Sequence, residues 1–241
     1  MAPAGFGDRV EGLHAVAAAL VAGRVARLTV EGSRAGRPPL SEILQAHPEV
    51  PVEIVDDVRP LADTTAPQGV VATCHPLRFV ELEDLADPAP AALLAVDHVE
   101  DPHNAGAIAR SALAAGVTGL ILPDRRSAAL RGAAFKAAAG AFERLRVAQV
   151  TSMPAALARL GEMGVWSVGL DGGGDRSIFD LDLLAEPVVL VVGAEAGLHR
   201  LVRERVDVLA AIPMAPGAES LNASVAAALG CFEVMRVRHR V

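Results

Sequence analysis

Short apolar runs of strand length alternate along this chain with stretches in which apolar residues recur at helical spacing. Over residues 9–22, Val10, Leu13, His14, Val16, Ala17 and Leu20 fall on one helical stripe. Residues 27–30 read as a strand and 32–39 as a loop carrying two prolines. Residues 42–46 read as a helix that Ser41 could cap and Pro48 stops. Two more strands are expected at 52–55 and 70–73. Residues 81–91 are acidic and hold two prolines, the composition of a linker that adds little to a core. From Ala92 onward the pattern sharpens. Apolar runs at 93–96, 119–122, 165–170, 188–192 and 208–212 suit parallel strands covered on both faces, with helices at 105–115 and 220–240. The expected architecture is α/β: a small N-terminal unit over residues 1–80, a linker over 81–91 and a larger unit over 92–241. Trp166, inside an apolar run, is expected in the core.

Composition narrows this only slightly. With 52% hydrophobic and 21% charged residues, the 241-residue chain should fold rather than stay disordered. No uncharged apolar stretch reaches about 18 residues, so no membrane span is expected. Acidic residues precede any long apolar run at the N-terminus, unlike a secretory signal. Cys74 and Cys231 suit neither a disulfide framework nor a metal site, so a reducing, cytoplasmic setting and no metal are expected. The basic set is 21 arginines and a single lysine, Lys136. The net charge of −7 is uneven: residues 1–90 carry −6 and residues 91–241 carry −1. That acidity argues mildly against a nonspecific nucleic-acid binder. Three basic clusters remain as local patches or solvated faces: Arg24, Arg27, Arg34 and Arg37; Arg125, Arg126, Arg131 and Lys136; Arg200, Arg203 and Arg205.

The candidate chemistry sits where apolar runs end in glycines and polar groups, because ligands of open α/β sheets bind at the carboxyl ends of strands. A run ending at Asp97 leads into Asp101, Pro102, Asn104, Gly106 and Arg110. Asn104 and Arg110 would converge if Asn104 lay in the loop before the helix; otherwise the segment is a capped helix start with a solvated arginine. A run ending at Gly193 continues into Glu195 and Gly197, which alone is also an ordinary strand-to-helix turn. A run ending at Ile212 and Pro213 leads to Ser220, Leu221 and Asn222, where Ser220 could cap the last helix. The triple glycine 172–174 reads first as a flexible loop, with a ligand rim as the other reading.

Taken together, these residues resemble the motif set of the SpoU (TrmH-like) family. Its members are S-adenosylmethionine-dependent RNA ribose 2′-O-methyltransferases of the SPOUT class. The match runs in order from Asp101-Pro102-x-Asn104-x-Gly106-x3-Arg110, through Gly193-x-Glu195, to Ile212-Pro213-Met214 and Ser220-Leu221-Asn222-x-Ser224-x-Ala226. Gly12-Leu13-His14-Ala15-Val16 and Gln68-Gly69-Val70-Val71-Ala72 resemble the small L30e-like substrate-binding domain of the branch that methylates a guanosine in 23S ribosomal RNA. The resemblance implies a trefoil-knotted methyltransferase domain, a homodimer with its site completed across the interface, and an RNA partner. It implies cofactor contacts at Gly193, Ile212 and Leu221, and functional polar roles for Asn104, Arg110, Glu195, Ser220 and Asn222. Three departures stand out: the short Glu195-Ala196-Gly197 spacing, Pro216 where glycine is usual, and Ala139 where Ser or Cys is usual.

For the chemistry, the resemblance gives Arg110 as the proposed base for a ribose hydroxyl. A guanidinium holds its proton to beyond about pH 12, and its fork matches a phosphate, so anchoring RNA suits it better. Glu195 and Asn104 would then orient Arg110 or the hydroxyl, with Ser220 and Asn222 at the substrate or cofactor edge. Other readings stay open: the same chemistry on transfer RNA or on an antibiotic-resistance site, or a cofactor-binding protein that assists RNA assembly without catalysis.

Overall fold

The computed structural model describes residues 5–87, 90–194 and 196–239. The N-terminal unit runs β1 (Arg9–Glu11), α1 (Leu13–Val21), β2 (Val25–Glu31), α2 (Gly32–Ala35), α3 (Leu40–Ala46), β3 (Val52–Val55) and β4 (Val70–Cys74). Its four strands lie in the order β1-β4-β2-β3, antiparallel except for the β2–β3 pair. The larger unit runs β5 (Ala92–Asp97), α4 (Pro102–Ala114), β6 (Gly119–Pro123), α5 (Gly132–Ala138), β7 (Arg146–Val150), α6 (Met153–Glu162), β8 (Trp166–Leu170), β9 (Arg176–Ser177), β10 (Val188–Gly193), α7 (Arg200–Arg203), β11 (Val208–Ala211) and α8 (Ala223–Arg238). Its strands form one parallel sheet in the order β7-β6-β5-β10-β8-β11-β9.

Several expectations change. The helix drawn from residue 9 begins at Leu13, because Gly12 takes a positive φ of 86° and ends a strand that contains Val10. The buried stripe is then Ala15, Val16, Ala19 and Leu20, and His14 is exposed. The third helix starts at Leu40 after Pro39, with no side-chain cap, so Ser41 lies inside it. Part of the 32–39 loop is a helical turn. Within the expected 81–91 linker, residues 84–87 are packed against the large unit: Leu85 is fully buried, and the Arg146 guanidinium donates to the carbonyls of Asp84 and Asp87, while residues 88 and 89 lie outside the described residues. Trp166 is 46% exposed because β8 begins there, at the amino edge of the sheet. Strand β7 and helices α5 and α6 were not expected. Alanine-rich α5 and strand β7, flanked by arginines, carry too weak an alternation to signal their type.

Two apolar layers sandwich the parallel sheet. On one face Leu94, Val96, Leu190 and Val192 pack with Ile108, Phe135, Ala227 and Cys231. On the other, Leu93, Ala95, Val189 and Val191 pack with Leu85, Leu157, Leu160 and Val202. The first layer continues without a break into Val10, Val16, Leu28 and Val70 of the small unit. Phe6 stacks on Phe79 at 4.8 Å and lies 6.1 Å from the Phe135 ring. Beside this apolar joint, Arg24 is buried and makes a two-pronged pair with Glu143 at 2.6 and 2.7 Å. The lone Lys136 donates from α5 to Thr64 Oγ1 and the Ala66 carbonyl. Arg24 and Lys136, one from each of two basic clusters, are therefore held by contacts at the joint, and Arg131 pairs there with Asp63.

Candidate active site

Beyond the carboxyl ends of β8, β10 and β11, the chain encloses a cavity of about 300 Å³. Strand order places it beside the switch in sheet direction, where β10 separates β5 from β8. Gly193 and Ala194 form one wall, Ile212 and Met214 another, and Ser220 and Leu221 close it together with Ala223 and Ala226 of α8. Asp171, Gly172 and Gly173 complete the rim, so the triple-glycine loop faces the cavity. All three residues expected at a cofactor, Gly193, Ile212 and Leu221, line this one space.

Glycine is obligatory at position 193. A Cβ there would stand 2.2 Å from the Gly197 carbonyl oxygen, which is backbone and unable to yield. Gly197 itself holds φ at +85°. The chain thus turns back on itself, with the Gly197 N–H donating to the Ala194 carbonyl at 2.8 Å. Glu195 lies outside the described residues. The glycine of the first motif works differently: a Cβ on Gly106 would stand 2.3 Å from the Ala134 carbonyl oxygen, so it sets the close approach of α4 to α5.

Asn104 and Asn222 are 118 positions apart in sequence and meet here. Asn222 Nδ2 donates to Asn104 Oδ1 at 3.0 Å, while its Oδ1 accepts from the Ser224 N–H at 2.9 Å. Asn222, not Ser220, is therefore the N-cap of α8, and Ser220 stays exposed on the cavity lining. Asn104 is the third residue of α4, whose cap is Asp101 accepting from the His103 N–H at 2.9 Å. Since Asn104 is not in a loop, it and Arg110 point about 120° apart around one helix. Arg110 is exposed and has no hydrogen-bond or ion-pair partner among the described residues. Ser220 lines the cavity, Asn222 sits between the lining residues Leu221 and Ala223 and holds Asn104, and Arg110 reaches outward from α4. Arg203, from the third basic cluster, was not expected to matter; it lines the cavity and stands 3.8 Å from Asp171. Neither thiol is reactive: burial pushes Cys231 up to about 12 and Cys74 up to about 11.

The comparisons agree with this geometry. Residues 91–232 match the model of the SpoU rRNA Methylase family. The chain belongs to the SpoU rRNA methylase family. Residues 9–80 match a second SpoU family model, described as RNA 2′-O ribose methyltransferase substrate binding. Among SpoU relatives, the 23S rRNA (guanosine-2′-O-)-methyltransferase RlmB of Xylella fastidiosa is 46% identical over 177 residues, covering 71% of each chain. An uncharacterized tRNA/rRNA methyltransferase of Mycobacterium ulcerans is 44% identical over 71% of this chain. The chain spans little more than half, 56%, of that mycobacterial protein's length. The SpoU methyltransferase AviRb of Streptomyces viridochromogenes, solved with AdoMet, superposes with a TM-score of 0.80 at 26% identity, covering 95% of this chain and 90% of its own. Among the described residues, no SpoU helix here is long and apolar enough to cross a membrane.

Proposed function

We propose that this chain methylates a ribose 2′-hydroxyl in RNA, using S-adenosylmethionine, with 23S ribosomal RNA as substrate. One observation carries the reading: two motif segments, distant in sequence, line one cavity at the carboxyl edge of a parallel sheet, and the third is tied to them by the hydrogen bond from Asn222, between the lining residues Leu221 and Ala223, to Asn104. The lining suits an amphiphilic nucleoside. Leu170, Val192, Ile212 and Leu221 offer apolar walls, and the backbone of Gly193, Ala194 and Ala196 is available for hydrogen bonds. Asp171 and Glu219 supply negative charge for a cationic ligand, and Arg203 supplies a partner for a carboxylate. When bound, the cofactor supplies the activated methyl carbon.

The protein's part is position and proton handling. Asn104, held by Asn222, presents a fixed amide to the ribose. Arg110 anchors an RNA phosphate through its planar fork. Its outward direction suits a site completed by a second copy of the chain. Val225, Leu229 and Phe232 are exposed at helical spacing on α8 and form the apolar stripe such a homodimer would bury. The trefoil crossing implied by the resemblance belongs to the same proposal. Ribosomal RNA is favoured by the RlmB relative and by the substrate-binding match over 9–80. The cytoplasm, where that RNA resides, follows as the location.

The test is transfer of radiolabelled methyl to total RNA, followed by mapping of the modified nucleotide. Label at a 23S ribose is the expected result. Label in transfer RNA instead would move the substrate, and absence of label from both would favour an assembly protein.

A further inference from the structure

The most heavily buried acid of the large unit lies outside every motif discussed so far. Asp97 ends β5, is 1% exposed, and pairs in register with Gly193 of β10. Alternation along β5 sends Leu94 and Val96 to the α8 face and Leu93, Ala95 and Asp97 to the face covered by α6 and α7. The cavity's apolar wall, Leu170, Val192, Ala223 and Ala226, is on the α8 face, with Arg203 of α7 reaching its rim. Asp97 therefore sits behind it, across the sheet edge.

Its two oxygens reach two different loops. Oδ2 accepts from the backbone N–H of His199 at 2.9 Å, 102 residues away. Oδ1 lies 2.5 Å from Nδ1 of His98. The His98 and His199 rings stack with centroids 5.4 Å apart, and His98 holds φ at +58° to reach this position. His98 opens the loop that leads to Asp101 and Asn104. His199 closes the loop that begins at Gly193 and includes the cavity-lining Ala194, Ala196 and Gly197. The carboxylate thus ties both loops together at the point where β5 and β10 stop holding them.

We infer that Asp97 is a positioning residue for the cofactor: through the His199 N–H it fixes the 193–199 loop from behind. This rests on the methyltransferase reading above. A buried carboxyl that spends one oxygen on an imidazole and the other on a backbone N–H 102 residues away fixes two loops against each other at the cost of its own desolvation. Without it, Gly193 and Gly197 leave the loop free to explore conformations closed to other residues.

Four variants separate the backbone bond from the side chains: Asp97→Ala, Asp97→Asn, His199→Pro and His199→Ala. Proline suits position 199, where φ is −58°, and deletes the N–H. Alanine there removes the ring but keeps the donor. Asparagine at 97 keeps an acceptor oxygen. S-adenosylhomocysteine affinity is read by calorimetry, and amide exchange over 194–199 is read without ligand. Asp97→Ala and His199→Pro should weaken binding about tenfold and speed exchange. Asp97→Asn and His199→Ala should stay within about threefold of the parent. A folded Asp97→Ala with parental affinity and exchange overturns the inference, and if that variant does not fold, His199→Pro decides it in the same way. A parent protein that does not bind S-adenosylhomocysteine overturns the methyltransferase reading itself and the cofactor role with it. In that case the exchange arm still reports whether the clamp exists.

Discussion

Two arginines mark the difference between the joint of the two units and the mouth of the cavity. At the joint, Arg24 is buried, both prongs of its fork are met by Glu143, and a third contact goes to the Gly7 carbonyl at 3.1 Å. On the motif helix α4, Arg110 points outward and is exposed without a partner among the described residues, and Ser220 at the cavity mouth is equally open. In the sequence both arginines look alike. The joint satisfies its polar groups internally, which makes it a stabilising element. The mouth leaves its groups for something else to satisfy, which is how a site that binds an external ligand must look. Substitutions in the two regions should fail in different assays.

The largest effect is expected at the joint. Arg24→Ala strands the Glu143 carboxylate in a buried pocket, and breaking such a pair typically costs about 3–5 kcal/mol. Urea unfolding should show that loss; a change under about 1 kcal/mol would mean the apolar joint alone holds the units together. Next, Arg110→Ala should lower methyl transfer at least about 100-fold. Its melting temperature and S-adenosylhomocysteine affinity should stay near the parent's, as expected for an exposed side chain. A turnover near the parent's would remove Arg110 from the chemistry. Asn222 stands between the regions, being both a helix cap and a partner of Asn104. Asn222→Ala should cost about 1 kcal/mol as a lost cap. Asn222→Ser should recover stability, since serine also caps, yet remain slow because it is too short to reach Asn104. Equal recovery of stability and turnover would reduce Asn222 to a cap.

The same contrast explains what was legible in the sequence. The parallel strands β5, β6, β8 and β10 were readable because both of their faces are buried, so the runs are continuously apolar; the half-buried β11 keeps an apolar run as well. The cavity-lining role of Gly193, Ile212 and Leu221 was readable only through the motifs, since nothing in their local pattern distinguishes them from ordinary strand ends. The joint was not readable. Arg24 looked like one of four surface arginines, and Leu85 was hidden in an acidic, proline-bearing segment. Both are buried by residues more than 30 positions away, Glu143 and Gly119, and no window along the chain contains such pairs. The Asp97 clamp escaped for the same reason: its donor is a backbone N–H, which sequence does not specify.

The smallest effect is expected at the one place where the joint departs from its own rule. Glu11 on β1 is fully buried; Oε2 accepts from the Asp63 N–H at 2.8 Å, and Oε1 has no partner among the described residues. A buried carboxylate with an idle oxygen costs more than a neutral amide of the same shape. Glu11→Gln keeps an oxygen for the Asp63 N–H and removes the charge, at the expense of an amide N–H2 buried where Oε1 now has no partner among the described residues. The two terms nearly cancel, leaving stability unchanged or raised by up to about 1 kcal/mol in urea unfolding. A loss of more than about 1 kcal/mol would show that the charge at position 11 is matched by a cation such as Arg9 or Arg131, both of which pair with the adjacent Asp63. The joint would then be an extended charge network, and the contrast with the cavity mouth would rest on charge pairing more than on burial.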